Sequence, residues 1–160
     1  MNYLSDQSFA RRPRAAVRRR QARSLLVGML LSGALLAEDQ RQLVILPPAA
    51  QEVLRQEMLE NLLVLNEIMT LMAADKLKEA GDLAEQKLGV SAQGKHRSKP
   101  FAARPGPHMP PAMHALGLDG HRAASEFARA AQAGERERAA TLLPGLTGAC
   151  VACHFSYRTR

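Results

Sequence analysis

Two cysteines and a histidine near the end of the sequence form its most distinctive chemical group. Cys150 and Cys153 are the two cysteines of the 160 residues, and His154 follows directly. Two residues between the thiols let both reach one edge of a porphyrin from a single helical turn, while the adjacent imidazole reaches the iron. The spacing therefore predicts one covalent haem c on Cys150 and Cys153, with His154 as an axial iron ligand.

Three other uses of the thiols are open from sequence. A disulfide between them would close a very small loop and stabilise little. A redox dithiol of the thioredoxin type expects a βαβ context and a helix N-terminus, whereas this pair precedes the end of a predicted helix. A zinc site needs four ligands. The other histidines are scattered along the chain: His96, His108, His114 and His121. Haem attachment is favoured over all three.

The N-terminal segment, residues 1–37, has a composition unlike the rest. It carries seven arginines and one acid, Asp6, for a net charge of +6, whereas residues 38–160 carry a net charge of +1. Its uncharged stretch, residues 25–37, is shorter than the roughly 20 residues that span a membrane as a helix. The pattern predicts a secretory signal peptide cleaved after Ala34 or Ala37, with an uncleaved anchor as the alternative. Because the arginines lie in that segment, nucleic-acid binding is not expected.

The rest of the chain, residues 38–160, reads as helical. The first helix is predicted from Pro48 to about Ala74, because apolar residues recur with a period near 3.6. This stripe consists of Leu54, Met58, Leu62, Leu65, Met69 and Met72. A second helix is predicted from about Lys76 to Leu88, with Asp75 as its cap and Gly89 in the left-handed conformation at its end.

A loop of about 20 residues, from Ser91 to Pro111, separates these helices from the last two. The third helix is predicted from Asp119 or His121 to Ala133, and the fourth from Glu135 to Tyr157 with a kink or break at Pro144 and Gly145. No strand is predicted. These elements favour an all-α fold, an antiparallel four-helix bundle over residues 38–160.

The last helix ends in CVACHFSYR, from Cys150 to Arg158. This motif, with Met58 and Asn61, KEAGDLAEQKLG, the Pro-Pro-x-Met at 110–113 and HRAASEFARAA, resembles class II cytochromes c, the cytochrome c prime group, over about 100 residues. The resemblance implies a four-helix bundle with the haem between helices and its edge near solvent, and antiparallel homodimers through the first two helices. It places Arg158 over the proximal face near His154 or a propionate; a solvated arginine is the simpler alternative.

The resemblance also implies that a residue of the first helix covers the opposite face of the iron. Met58 is the candidate sixth ligand, and a thioether there would raise the potential and favour electron transfer. A methionine at helical spacing is often simply core packing, in which case Leu54 or Leu62 would cover the iron. His96 and His108 are less favoured ligands, and His114 and His121 are expected at the surface or at helix ends.

These features predict a periplasmic monohaem cytochrome that transfers electrons to and from redox partner proteins. The alternative is a five-coordinate haem protein that binds nitric oxide or carbon monoxide in an apolar distal pocket. The sequence has no carboxylate pair, Ser-His-Asp set or phosphate-binding loop that would indicate an enzyme.

Overall fold

The computed structural model describes residues 38–160, and this part of the chain is mainly helical. Helix α1 spans Pro48–Ala73, α2 Leu77–Lys87, α3 Pro111–Gln132 and α4 Arg136–Ser156. Three single 3₁₀ turns, Val90–Ala92, Phe101–Ala103 and Gly106–His108, lie between α2 and α3. The predicted all-α class is confirmed for these residues. The predicted signal peptide, residues 1–37, lies outside them.

Two short strands are the exception to the helical fold. β1, Gln42–Leu43, precedes α1, and β2, Tyr157–Arg158, follows α4. They pair in parallel, with Gln42 opposite Tyr157 and Leu43 opposite Arg158. The prediction of no strand is therefore wrong at these four residues. Strands this short carry no readable alternation, so their pairing depends on the helices that bring them together.

The helix ends differ from the predictions in two places. Asp75 does not cap α2: it takes a left-handed conformation with φ 63°, and its carboxylate pairs with Arg136 at the start of α4. Gly89 is extended, with φ −71°, and its N–H donates to the carbonyl of Ala84 at 2.8 Å. Gly134, with φ 76°, does stop α3 where predicted.

α3 begins about two turns earlier than predicted, and α4 is unbroken. Pro111 occupies the first turn of α3, where its missing N–H has no helical partner to lose. The helix then continues through Gly117 and Gly120. In α4, Pro144 removes one backbone donor, but helical structure continues on both sides of it. Of the predicted kink or break at Pro144 and Gly145, the break is therefore not observed.

Neighbouring helices pack in chain order, α1 against α2, α2 against α3 and α3 against α4. Small residues allow the close approach of α2 to α3, since a Cβ added at Gly81 would lie 2.8 Å from the carbonyl oxygen of Ala128. The main core centres on Phe127 and Ile68, both fully buried. Its other buried members are Leu77, Ala80, Ala84, Ala124, Ala128, Ala130, Ala131, Ala139 and Leu146.

The predicted core stripe of α1 is only partly buried. Leu54 is buried, and Leu65 and Met72 are half-buried, whereas Met58, Leu62 and Met69 are exposed. Ile68, which lies beside the stripe, is fully buried instead. Periodicity identifies the apolar side of a helix but not the part of it that meets a neighbour, and α1 leaves much of its apolar surface outside the core.

Within residues 38–160, α4 is the helix that is long and apolar enough to cross a membrane by length and composition alone. It nevertheless packs through Ala139 and Leu146 into the main core. These are its two buried residues, so most of its apolar side chains lie at or near the surface.

Candidate haem-binding site

The last two turns of α4 present the two thiols and the imidazole together. Both cysteines are free thiols; Cys150 is exposed and Cys153 half-buried, and His154 is exposed. Cys153 packs, with Tyr157 and Met109, against a second core cluster at this end of α4. The buried members of this cluster are Val44, Leu46, Ala50, Leu54 and Met113. We call it the tail cluster.

The surroundings of the thiols disfavour a redox dithiol. Partial desolvation by the surrounding residues raises the pKa of both thiols, and the neighbouring Cys150 raises the pKa of Cys153 further. A thioredoxin-type cysteine needs a lowered pKa, usually from a helix N-terminus or a nearby cation. Both residues instead lie in the C-terminal part of α4.

The zinc alternative lacks a ligand set in the part of the chain that the structure describes. No group of three or more His, Cys, Asp and Glu side chains there is placed to hold a metal ion. Zinc sites are almost always four-coordinate when structural, and three protein ligands are the usual minimum in catalytic sites. A c-type haem is different, since the porphyrin supplies the four equatorial nitrogens and the protein needs only one axial imidazole.

The residues after His154 are attached to the segment that precedes α1. The N–H of Val44 donates to the carbonyl of Arg158 at 2.8 Å, which extends the β1–β2 pairing. The guanidinium of Arg41 donates to the carbonyl of His154 at 3.4 Å. Further along, the side chains of Gln51 and Arg55, in the first two turns of α1, donate to the carbonyl of Arg160. The tail that ends the motif is thus fixed by residues 41–55.

Arg158 belongs to this attachment. Its backbone pairs with Leu43 in the parallel strands, and the residue as a whole is half-buried. It is therefore not the fully solvated arginine that was the simpler alternative from sequence. The strand pairing holds its backbone four residues beyond His154.

Between its two buried sections, α1 carries a run of exposed apolar side chains. Ala50 and Leu54 belong to the tail cluster, and Ile68 belongs to the main core. Met58 and Leu62, which lie between them, are 38% and 65% exposed. Leu59 and Leu63 are also exposed. We call residues 58–63, which also include the polar residues Glu60 and Asn61, the α1 apolar segment.

α4 likewise has exposed residues between two sections that pack in different core clusters. Leu146 is buried in the main core, and Cys153 packs against the tail cluster. Between them, Gly148, Cys150 and Val151 are exposed. The structure therefore has two separate core clusters, with exposed segments of α1 and α4 between them. Met58 and Cys150 lie in these two segments.

The other candidate histidines each have a local role. The Nε2 of His96 lies 3.2 Å from a carboxylate oxygen of Glu57, and the Nε2 of His108 lies 3.2 Å from the carbonyl of Phe101. His121 donates from Nδ1 to the carbonyl of Leu88 at 2.7 Å, which confirms it as a helix-end partner of α2. His114 is exposed, as predicted.

A network of polar side chains joins α2 and α3 and was not predicted from the sequence. The hydroxyl of Ser125, a buried residue of α3, donates to the carboxylate of Glu85 and accepts the N–H of Val90 at 2.9 Å. Glu85 also accepts the N–H of Ser91 at 3.0 Å. The hydrogen bonds from Ser125 and Ser91 lower the pKa of Glu85. Single Glu and Ser residues give no signal of this kind in a sequence.

Comparison with known proteins adds no relative. No protein-family model matches the chain, and neither a curated protein nor a solved structure matches it significantly.

Proposed function

We propose that this chain is a monohaem c-type cytochrome that transfers electrons, of the class II kind. The observation that carries the proposal is the setting of the motif: Cys153 is a free thiol packed against the tail cluster, while Cys150 and His154 beside it are exposed. Two thiols and an imidazole thus meet at the boundary between apolar core and open surface. Cys150 and Cys153 would hold the porphyrin and His154 its iron, and the group would supply a one-electron iron couple.

An antiparallel four-helix bundle is the arrangement that fits this site. The start of α1 shares the tail cluster with the end of α4, and the end of α1 shares the main core with Ala139, in the first turn of α4. This sharing supports opposite directions for the two helices. The short connections 74–76 and 133–135 are of the length that joins antiparallel neighbours.

In this arrangement the α1 apolar segment would lie opposite the motif. Its exposed side chains, together with Val151 of α4, offer the apolar surface that a porphyrin needs on both faces. Met58 is the candidate sixth ligand on the face opposite His154. Arg158, held by the β1–β2 pairing, is the candidate partner of a propionate.

The α1 apolar segment also supports the second candidate function. If the iron is not bound by Met58, its distal side is lined by Leu59, Leu62 and Leu63, which carry no hydrogen-bond donor. Such a lining admits a diatomic gas such as nitric oxide or carbon monoxide and disfavours water. Coordination of the iron therefore decides between electron transfer and gas binding.

Attachment is tested by expression of the full chain in a host that matures c-type cytochromes. The protein should keep a peroxidase stain after denaturation, because thioether bonds survive it. The Cys150→Ala/Cys153→Ala variant should lose the stain, while His114→Ala, which changes an exposed histidine elsewhere, should keep it. A colourless wild-type protein would refute the proposal.

The ferric absorption spectrum then tests the role of the iron. A methionine–iron charge-transfer band supports electron transfer. A high-spin spectrum with rapid binding of carbon monoxide after reduction supports the gas-binding alternative. Export to the periplasm, the expected location, is tested by the N-terminus of the mature protein, and the antiparallel homodimer by its mass in solution.

A further inference from the structure

The positive charge of the described chain is concentrated in one stretch. Between Glu85 and Asp119 there are five Lys and Arg residues and no Asp or Glu, although residues 38–160 as a whole carry a net charge of only +1. Four of the five, Lys95, Arg97, Lys99 and Arg104, lie between Gly94 and Met109. We call residues 94–109 the basic loop.

The basic loop is ordered by its own backbone bonds. Successive turns are closed by N–H groups of Arg97, Lys99 and Ala103, at 2.8 to 3.0 Å from the carbonyls three residues earlier. The guanidinium Nε of Arg104 donates back to the carbonyl of Lys99 at 2.7 Å. The loop therefore presents a fixed surface, although it lacks an α-helix.

The basic loop is also fixed to α1. The 3₁₀ turn Phe101–Ala103 packs against α1, and Glu57 of α1 pairs with Lys95 at 3.0 Å and with His96 at 3.2 Å. Glu57 directly precedes Met58, so these two contacts lie next to the start of the α1 apolar segment. The loop therefore borders the proposed haem site.

The basic loop carries an exposed aromatic ring two and four residues from two exposed cations. Within residues 38–160, the exposed side chains of Arg97 and Lys99 pair with no carboxylate, whereas Lys95 is neutralised by Glu57. Phe101 is 62% exposed, and its ring is held edge-to-face against His108 at 5.0 Å. An immobilised aromatic side chain with a charged rim is the composition of a protein-docking surface.

We propose that the basic loop is the docking surface for an acidic partner protein, whose carboxylates pair with Arg97 and Lys99 around an apolar side chain that contacts Phe101. This proposal rests on the proposed function, because the loop would hold the partner beside the haem for electron transfer. A partner protein fits better than an anionic membrane, since recognition of lipid headgroups uses clusters of about four to eight Lys and Arg. Three of the loop's four cations lack a carboxylate partner within residues 38–160, since Lys95 is the one that pairs with a carboxylate.

The first experiment uses fluorescence anisotropy to measure binding of a labelled peptide to the full chain purified from the host that matures c-type cytochromes. The peptide carries fluorescein and consists of alternating Asp and Gly with one central Leu. Arg97→Glu/Lys99→Glu should weaken binding about tenfold and flatten its salt dependence. The matched control is Lys76→Glu/Lys78→Glu, which makes the same charge change at the start of α2, where acidic residues are favoured by the helix dipole. It should leave the affinity within about twofold.

A third variant separates the ring from the charges. Phe101→Ala should weaken binding of the same peptide with its salt dependence unchanged, because an apolar contact is not screened. Equal losses in the two charge-reversed variants would overturn the proposal, since they would reflect net charge alone. Tighter binding to phosphatidylserine vesicles than to the peptide would overturn it in favour of a membrane.

The two proposals fail separately. Peptide binding does not require haem, whereas the peroxidase stain does. A protein that stains but binds the peptide equally well as wild type and as Arg97→Glu/Lys99→Glu would refute the docking surface and leave the cytochrome. A protein that binds through the loop but does not stain would refute the cytochrome and leave the acidic-partner surface.

Discussion

The N–H of Val44 donates a 2.8 Å hydrogen bond to the carbonyl of Arg158, and this bond joins the segment before α1 to the tail after the CxxCH motif. The two residues are 114 positions apart in the sequence, yet each flanks a helix that contributes to the candidate site. Val44 and Leu46 enter the tail cluster that also contacts Cys153. The segment 42–46 therefore supports the end of α4 on which the motif lies.

Truncation of Val44 tests this support. Val44 is 4% exposed and its neighbour Ile45 is 71% exposed, so the pair provides an internal control. Val44→Ala should lower the free energy of unfolding by about 2 kcal/mol through lost burial and a small cavity. Ile45→Ala should change it by less than about 0.5 kcal/mol. Denaturant unfolding measures both. Equal effects would show that the segment does not pack on the tail.

Replacement of Met58 tests the sixth ligand. Met58→Leu keeps the apolar volume but removes the thioether. If Met58 ligates the iron, the variant should lose the methionine–iron charge-transfer band and have a lower reduction potential. Met69→Leu is the matched control, because Met69 is an exposed methionine of the same helix, eleven residues further along. Identical spectra for wild type and Met58→Leu would exclude the ligand and favour the five-coordinate alternative.

The helices were predicted from the sequence more accurately than the contacts that they make. The periodic apolar residues after Pro48 predicted α1 almost to its ends, and the motif predicted the chemistry expected at Cys150, Cys153 and His154. The start of α3 was missed, since residues 112–118 were assigned to no helix. Within α3, Gly120 is a packing site: a Cβ there would lie 3.3 Å from that of Ala149 on α4.

The hydrogen bonds between residues far apart in the chain could not be predicted from the sequence. The bond between Val44 and Arg158, and the network of Glu85 with Ser125, join residues whose types are common and whose separations follow no period. The exposure of Met58 and Leu62 was not predicted, because an apolar stripe on a helix does not show where the elements packed against it end. The haem assignment itself stays a prediction.

The pH dependence of stability should reveal the Glu85 network. The folded pKa of Glu85 is lowered, chiefly by Ser125 and Ser91, so the folded state binds fewer protons than the unfolded state. Its contribution is present above the ordinary carboxyl pKa of 4.5 and is lost as the pH falls through the folded pKa. At pH 7, Ser125→Ala should cost about 1–3 kcal/mol, because a charged group loses a buried donor.

Two further measurements test whether the Glu85 network causes the pH dependence of stability. In denaturant unfolding, the difference between wild type and Ser125→Ala should shrink when the pH is lowered well below 4.5. Glu85→Gln should likewise flatten the pH profile. Glu126→Gln serves as the control, because Glu126 is an exposed carboxylate of α3. A difference between wild type and Ser125→Ala that is constant with pH would assign the cost to packing of Ser125 alone.

A separate prediction follows from the left-handed residue in the turn between α1 and α2. Asp75 has φ 63°, a conformation that costs an L residue with a Cβ about 1–2 kcal/mol. Asp75→Gly removes that cost but also the exposed ion pair with Arg136, which is worth about 0–1 kcal/mol. The thermal midpoint of Asp75→Gly should therefore equal or exceed that of wild type, and Asp75→Ala should fall below both. Arg136→Ala removes the ion pair together with a 3.4 Å hydrogen bond from Arg136 to the carbonyl of Met72.

The last prediction concerns cleavage of the N-terminal segment, and the fold limits where this cleavage can occur. The segment from Gln42 onward pairs with the tail, and the side chain of Arg41 contacts the carbonyl of His154, so the mature protein must keep these residues. Cleavage after Ala34 or Ala37 meets this requirement, because the mature chain would then begin at Leu35 or Glu38. Intact mass spectrometry of protein from the periplasm distinguishes the two. A mass that retains residues 1–34 would instead indicate the uncleaved anchor.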